Sequence, residues 1–243
     1  MTEPNSVEVC FTPLNFPLFY KNQAIVVIID IFRATSAICT ALHHGVEKII
    51  PVTTIEEAKA YQSKGFVAAA ERNGEVMEGF AFGNSPFSFM NEDLKGKTVV
   101  LTTTNGTQAI EVARNSFQIV AGSFLNLDLL CDWLSKQGKD IILLCAGWKN
   151  KFNIEDTLFA GALVSGLLQS GKFASTCDSS VAAMILYEKG KPDLHDFLKR
   201  SSHLKRLEKL QLEKDILYCL SPNLAPVIPI LEGKTLVKLS QKS

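Results

Sequence analysis

The chain has 243 residues, 47% of them hydrophobic and 21% charged, with 25 basic and 25 acidic side chains. That balance suits a globular chain with a sizeable core, and a net charge of zero gives no general attraction to nucleic acid. An anionic ligand must therefore be held by a local arrangement, and the longest apolar runs, Ala24–Ile29 and Ile141–Ala146, are far too short to cross a membrane.

Val7–Phe11 reads as a strand, and Ala24–Ile31 as a buried one, because its β-branched run is continuous and short. Thr35–His44 is a helix stopped by Gly45, followed by a strand at Val46–Val52, a helix at Ile55–Lys64 closed by Gly65, and a short strand at Phe66–Ala70. A long stretch without clear periodicity comes next, which inside a compact domain is usually functional. Strands at Thr98–Thr102, Phe117–Ala121 and Asp140–Cys145 then alternate with helices at Thr107–Arg114, Leu127–Gln137 and Ile154–Gln169. Beyond them Ser179–Lys189, Asp193–Leu198 and Ser202–Tyr218 look helical and more polar, ahead of strands at Val227–Leu231 and Thr235–Leu239.

This alternation predicts an α/β three-layer sandwich, a mainly parallel sheet with helices on both faces and a more helical C-terminal third. A single domain over residues 1–243 is expected, with a subdivision near 170 as the one candidate boundary. Met1 to Cys10 lacks the basic-then-apolar pattern of a signal peptide, and none of the six cysteines forms a Cys-x-x-Cys pair. The expectation is a cytoplasmic protein whose reduced cysteines serve as small hydrophobes.

In a parallel sheet, ligands gather beyond the carboxyl ends of the strands. Four such loops carry unusual polar chemistry. Asp30-Ile31-Phe32-Arg33-Ala34-Thr35-Ser36 sets an acid, a guanidinium and two hydroxyls at a helix start, where free N–H groups favour anions. The plain alternative is an Asp–Arg ion pair with Thr35 as a cap. Glu71-Arg72-Asn73-Gly74-Glu75 opens the long irregular stretch, in which Glu75 and Glu78 read as solvated turn residues. Thr102-Thr103-Thr104-Asn105-Gly106-Thr107 offers clustered hydroxyl and amide donors around a glycine, a cradle for oxyanions, against the alternative of ordinary helix capping. Glu155 and Asp156 open an otherwise apolar helix, so they are expected to be buried and to need a partner such as a cation.

Several phosphoryl chemistries are excluded by pattern. There is no Cys-x5-Arg, no Arg-His-Gly, no Asp-x-Asp at Asp30 because position 32 is Phe, and no nucleotide-phosphate or dinucleotide glycine loop. Clustered Cys/His ligands for zinc are missing as well, whereas carboxylates suit Mg²⁺.

Ile29–Ser36, Glu71–Glu75, Phe82-Gly83-Asn84-Ser85-Pro86, Thr102–Thr107 and Glu155-Asp156-Thr157 together resemble, in order and spacing, the successive blocks of the 2-phosphosulfolactate phosphatase family. The resemblance implies an α/β fold, Mg²⁺ dependence, and hydrolysis of 2-phospho-3-sulfolactate to 3-sulfolactate and phosphate. On that footing Asp30, Arg33 and Glu71 are the candidate catalytic residues, and Asp30, Glu71, Glu155 and Asp156 the candidate Mg²⁺ ligands. Nucleophile and metal ligand are rival roles for Asp30. Thr35, Ser36, Arg72, Asn73, Asn84, Thr103, Thr104, Asn105, Gly106 and Thr107 are the candidate substrate-binding residues. Arg72, Lys149 or Lys151 would pair with the substrate's carboxylate and sulfonate.

Ser201-Ser202-His203-Leu204 resembles a family segment with Gly after the His, and is read instead as a basic surface helix. The expected partner is a small phosphorylated organic acid, with no nucleic acid and no membrane, and a homodimer as the default assembly. The competing readings are a phosphatase for another phosphorylated acid or sugar, a non-catalytic binding module for a phosphorylated metabolite, and a protein-interaction scaffold.

Overall fold

The computed structural model describes residues 3–240 except Thr176. Its strands are β1 (Asn5–Cys10), β2 (Ile25–Ile29), β3 (Lys48–Pro51), β4 (Val67–Arg72), β5 (Glu75–Val76), β6 (Thr98–Thr102), β7 (Gln118–Gly122), β8 (Ile141–Cys145), β9 (Phe173–Ala174), β10 (Pro229–Glu232) and β11 (Thr235–Lys238). The helices are α1 (Phe16–Phe19), α2 (Ala34–His43), α3 (Ile55–Gln62), α4 (Gly106–Val112), α5 (Leu127–Leu134), α6 (Ile154–Gln169), α7 (Asp178–Gly190), α8 (Leu194–Leu198), α9 (Ser202–Lys209) and α10 (Glu213–Leu220). Thr98–Thr102 and Ile154–Gln169 fall where their patterns place them, and most other boundaries shift by a residue or two.

The strands form one 11-stranded sheet in the order β5-β4-β6-β3-β11-β10-β7-β2-β8-β1-β9. Helices cover both faces, and β2 shows why its sequence is apolar throughout. Ile25, Val27 and Ile29 pack on α5, α6 and α7, while Val26 and Ile28 pack on α2 and α4. No helix among the described residues is long and apolar enough to cross a membrane.

Two features depart from the sequence reading. Ser202–Tyr218 is two helices, not one, because Gln211 takes a left-handed conformation (φ 58°) between α9 and α10. The second concerns the sheet. β3, β4 and β6 are mutually parallel, as are β1, β2, β7, β8 and β9, but the β10–β11 hairpin joins the two sets through three antiparallel pairings. An odd number of reversals means that the two halves run in opposite directions. The loops after β2, β4, β6 and β8 therefore do not line one edge of a flat parallel sheet. They meet because the sheet twists and curls across the hairpin, where a single registered pair joins β3 to β11 (Ile49 with Leu236) and β7 to β10 (Val120 with Ile230).

The backbones of α6 and α7 approach closely where the helices cross. A Cβ at Gly161 would lie 2.1 Å from the Ala183 carbonyl oxygen. Gly161→Ala should overpack this crossing and cost about 1–3 kcal/mol, read as a lower urea midpoint at unchanged slope. An unchanged midpoint would show that the two helices separate freely.

Candidate active site

A small enclosed cavity of about 10 Å³ lies where the loops of the two half-sheets meet, lined by Asp30, Phe32, Arg33, Glu71, Gly74, Asn84, Asn105, Trp148, His203 and Leu207. Five of these, Asp30, Arg33, Glu71, Asn84 and Asn105, are among the candidates named from sequence. Gly106 is what lets the two halves close. A Cβ there would fall 2.5 Å from the Ala34 Cβ and 2.7 Å from Asp30 Oδ2, so only glycine fits. The backbone N–H of Lys149 donates to Asn105 Oδ1 at 3.0 Å, tying the β8 loop to the β6 loop.

The four candidate carboxylates are all buried but are engaged very differently. Glu71 accepts from Gly74 N–H (2.6 Å), Thr104 Oγ1 (3.1 Å), Thr104 N–H (3.2 Å) and Asn84 Nδ2 (3.4 Å), so it is the knot of three loops. Asp156 accepts from Ile31 N–H (2.9 Å), Gly147 N–H (3.1 Å) and Asn153 Nδ2 (2.9 Å). Burial and the neighbouring Glu155 push its pKa up to about 8, against these three donors, which favour the anion. Glu155 Oε1 accepts from His203 Nδ1 at 2.6 Å and Oε2 from Ser201 Oγ at 3.2 Å.

Asp30 differs from the other three. No side chain among the described residues donates to its carboxylate, and the Ala34 N–H at the start of α2 is its backbone donor. Burial, then the Asp156 and Glu71 charges, hold its pKa well above the usual carboxylate range, and His203 opposes them.

The C-terminal helices close the cavity, which the sequence did not suggest. His203 is buried, not on a surface helix, because Ser201 Oγ caps α9 by accepting from His203 N–H and Leu204 N–H and ties it to Glu155 on α6. With Nδ1 bound to Glu155, Nε2 is the ring nitrogen left for a ligand. The Trp148 ring lies 5.1 Å from the His203 ring. On α10, Asp215 forms a buried ion pair with Arg33 Nη1 and accepts from Ser85 Oγ at 3.0 Å, while Arg33 Nη2 donates to the Gly74 carbonyl at 2.7 Å. Asp215 had no sequence signal, since an acid in the first turn of a polar helix is ordinary.

Other named residues lie elsewhere. Thr35 and Ser36 are wholly buried and donate to the Asp30 and Ile31 carbonyls. Thr103 and Thr107 cap each other, and Thr104 serves Glu71 and accepts from Asn73 N–H. Arg72 turns away to the Glu71 and Thr53 carbonyls and Thr102 Oγ1, beside a separate depression of about 320 Å³. Lys151 is exposed. A larger groove of about 660 Å³ lies between α5 and the C-terminal strand, where Asp132 is paired with Lys136. With no cluster of titratable groups there, the chemistry belongs to the small cavity.

Among the described residues no three His, Cys, Asp or Glu side chains form a metal-binding group. Of the four candidate acids, Glu71, Glu155 and Asp156 already accept from protein donors. What remains on the cavity is the Asp30 carboxylate and Asn84 Oδ1, a buried acceptor without a partner. Two such oxygens fit a hard cation of the Mg²⁺ kind, which binds through one or two protein groups and keeps the rest of its shell as water or substrate.

Lone acceptors, an anchored guanidinium and an imidazole held by a carboxylate, all around one buried cavity, are the equipment of an enzyme acting on a small anionic molecule. A sequence model described as 2-phosphosulpholactate phosphatase matches residues 10–234, and the chain belongs to that family. Among curated relatives it is 43% identical over 205 residues to a probable 2-phosphosulfolactate phosphatase of Thermotoga petrophila, covering 84% of this chain and 88% of the relative. It is 39% identical over 220 residues to one from Caldanaerobacter subterraneus subsp. tengcongensis, covering 89% and 90%.

Two outcomes follow from the buried charges. Asp215→Ala leaves the Arg33 charge unpaired and should cost about 3–5 kcal/mol in chemical unfolding, most of it regained when Arg33→Met is added. Equal costs for the single and double variants would deny the coupling. Folding also raises the Asp156 pKa to about 8. The folded chain thus keeps a proton that the unfolded chain loses near pH ~4, and this contribution to stability falls as pH rises across that window. The unfolding cost of Asp156→Asn should be greatest below pH ~4 and shrink as pH rises towards 8. A cost flat with pH would remove the group from the titration.

Proposed function

We propose that this chain hydrolyses 2-phospho-3-sulfolactate to 3-sulfolactate and phosphate in a Mg²⁺-dependent reaction. The observation that carries the reading is the pairing, on one buried cavity, of the Asp30 carboxylate, which no side chain engages, and the unpartnered Asn84 Oδ1 with His203 held by Glu155. Asp30 and Asn84 would hold the Mg²⁺, which when bound would neutralise charge on the phosphoryl oxygens and lower the barrier to attack at phosphorus.

The chain's own groups do the rest. Arg33, fixed by Asp215 and the Gly74 carbonyl, sets a positive charge on the cavity wall. Asn105, its oxygen taken by Lys149 N–H, turns its NH₂ to the phosphoryl oxygens. His203 Nε2 gives a proton to the bridging oxygen as the P–O bond breaks, so the organic product leaves as a neutral hydroxyl. Water supplies the new P–O bond and returns a proton to the ring. Glu155 and Ser201 hold the imidazole in place and are positioning residues.

As it stands the cavity has room for about one water molecule.

The test is phosphate release from 2-phospho-3-sulfolactate against a panel of phosphorylated hydroxy acids and sugars, with Mg²⁺ and with EDTA. Asp30→Asn should lose at least ~100-fold in turnover while keeping the wild-type melting curve. Retention of more than about a tenth of the rate would take Asp30 out of the mechanism. His203→Asn should lose ~100-fold or more on the alkyl ester but far less on p-nitrophenyl phosphate, whose leaving group needs no proton. Equal losses on both would show that His203 transfers no proton to the leaving oxygen.

A further inference from the structure

We infer that Arg206, backed by Trp148, forms a second anion subsite beside the cavity, one that takes the carboxylate or sulfonate of a substrate already held by its phosphoryl group. The inference rests on the phosphatase reading above and extends it to the rest of the substrate.

Arg206 lies on α9 next to Leu207, which lines the cavity, and its guanidinium carbon sits 4.3 Å from the centre of the Trp148 ring, another cavity wall. The residue is partly exposed, yet its Nε and Nη2 are buried without a hydrogen-bond partner. Buried donors left unpaired are rare and costly, and an unpaired guanidinium edge more so. These two nitrogens are the pair whose N–H bonds run parallel along one edge of the guanidinium. That edge is a two-pronged donor matched to two oxygens of one carboxylate or sulfonate. Stacking on Trp148 holds the plane of the fork.

A second observation comes from the other side of the loop. Lys149 Nζ lies 5.4 Å from the centre of the same indole ring, so two cations crowd one aromatic group. None of the ion pairs among the described residues includes either cation. In a chain of zero net charge, gathering two unpaired cations here costs free energy unless an anion joins them. The phosphoryl position is served by Asp30, Asn84, Arg33 and Asn105, so the anion at Arg206 is a different group of the same molecule.

The test is calorimetric titration of the Mg²⁺-loaded protein with 3-sulfolactate, lactate, 2-hydroxyethanesulfonate and inorganic phosphate, in wild type, Arg206→Ala and Arg206→Lys. Arg206→Ala should weaken 3-sulfolactate binding about 100-fold. Arg206→Lys should recover little, because an ammonium keeps the charge and loses the fork. Inorganic phosphate, with no second acid group, should bind all three proteins alike. Of the two fragments, the one whose affinity falls with Arg206→Ala names the acid group on the fork, and loss by neither overturns the proposal. Equal 3-sulfolactate affinity in wild type and Arg206→Ala, or full recovery by lysine, overturns it as well. Failure of the phosphatase reading would be seen separately, as no phosphate release by wild type while 3-sulfolactate binding still depends on Arg206.

Discussion

Burying carboxylates is the constraint on which this architecture turns. Asp30, Glu71, Glu155 and Asp156 are all nearly or wholly withdrawn from water, and an isolated charge in such a place is prohibitive without partners. The fold supplies them by bringing distant loops together. Glu71 draws in the turn at Gly74, the segment at Asn84 and the loop at Thr104. Asp156 reaches the backbone after β2 and after β8, and Glu155 secures α9 through His203 and Ser201. Glu71 and Asp156 thus hold loops whose own sequences carry no strong preference for their conformations.

The same constraint explains how a sheet whose halves run in opposite directions can make one site. The β10–β11 hairpin reverses the sense of the sheet, so a flat arrangement would send the loops after β4 and β6 to the end opposite those after β2 and β8. Curling brings them face to face, and Gly106 against Ala34 and Asp30 is where that closure is tightest. The ion pair of Arg33 with Asp215 then fastens the C-terminal helices over the junction. A chain lacking the hairpin or the last helices would have the four loops and no cavity.

Much of this could be read from the residues, and the losses have physical causes. Strand–helix alternation and the apolar run of β2 made the layered fold visible, since buried parallel strands have a distinctive composition. The Asp30, Glu71, Asn84 and Asn105 loops stood out because polar residues after apolar strands need a reason. Thr35, Ser36, Thr103 and Thr107 looked equally functional, but a hydroxyl that caps a backbone and one that binds a ligand have the same sequence signature. His203 and Asp215 were lost for the opposite reason. Their helices have polar faces, and only tertiary packing turns the one towards Glu155 and the other towards Arg33. The antiparallel junction was beyond reach, because pairing partners far apart in sequence leave no local pattern.

What separates the groups that build the site from those that would use it is whether their bonding capacity is already filled. Glu71 accepts four hydrogen bonds and Asp156 three, all from neighbouring protein groups. Such groups hold shape, and a ligand would have to break bonds to engage them. Asp30, Asn84 Oδ1 and the Nε–Nη2 edge of Arg206 carry unspent capacity at or beside the cavity, and they divide by sign into two acceptors and one donor fork. Acceptors suit a cation, and a fork suits an acid. A molecule that brings a phosphate to meet the cation and a second acid to meet the fork would satisfy all three at once. An ester with a phosphate alone would leave the Arg206 edge unpaired, so selectivity for a polyanionic substrate follows from the hydrogen bonds that remain to be made.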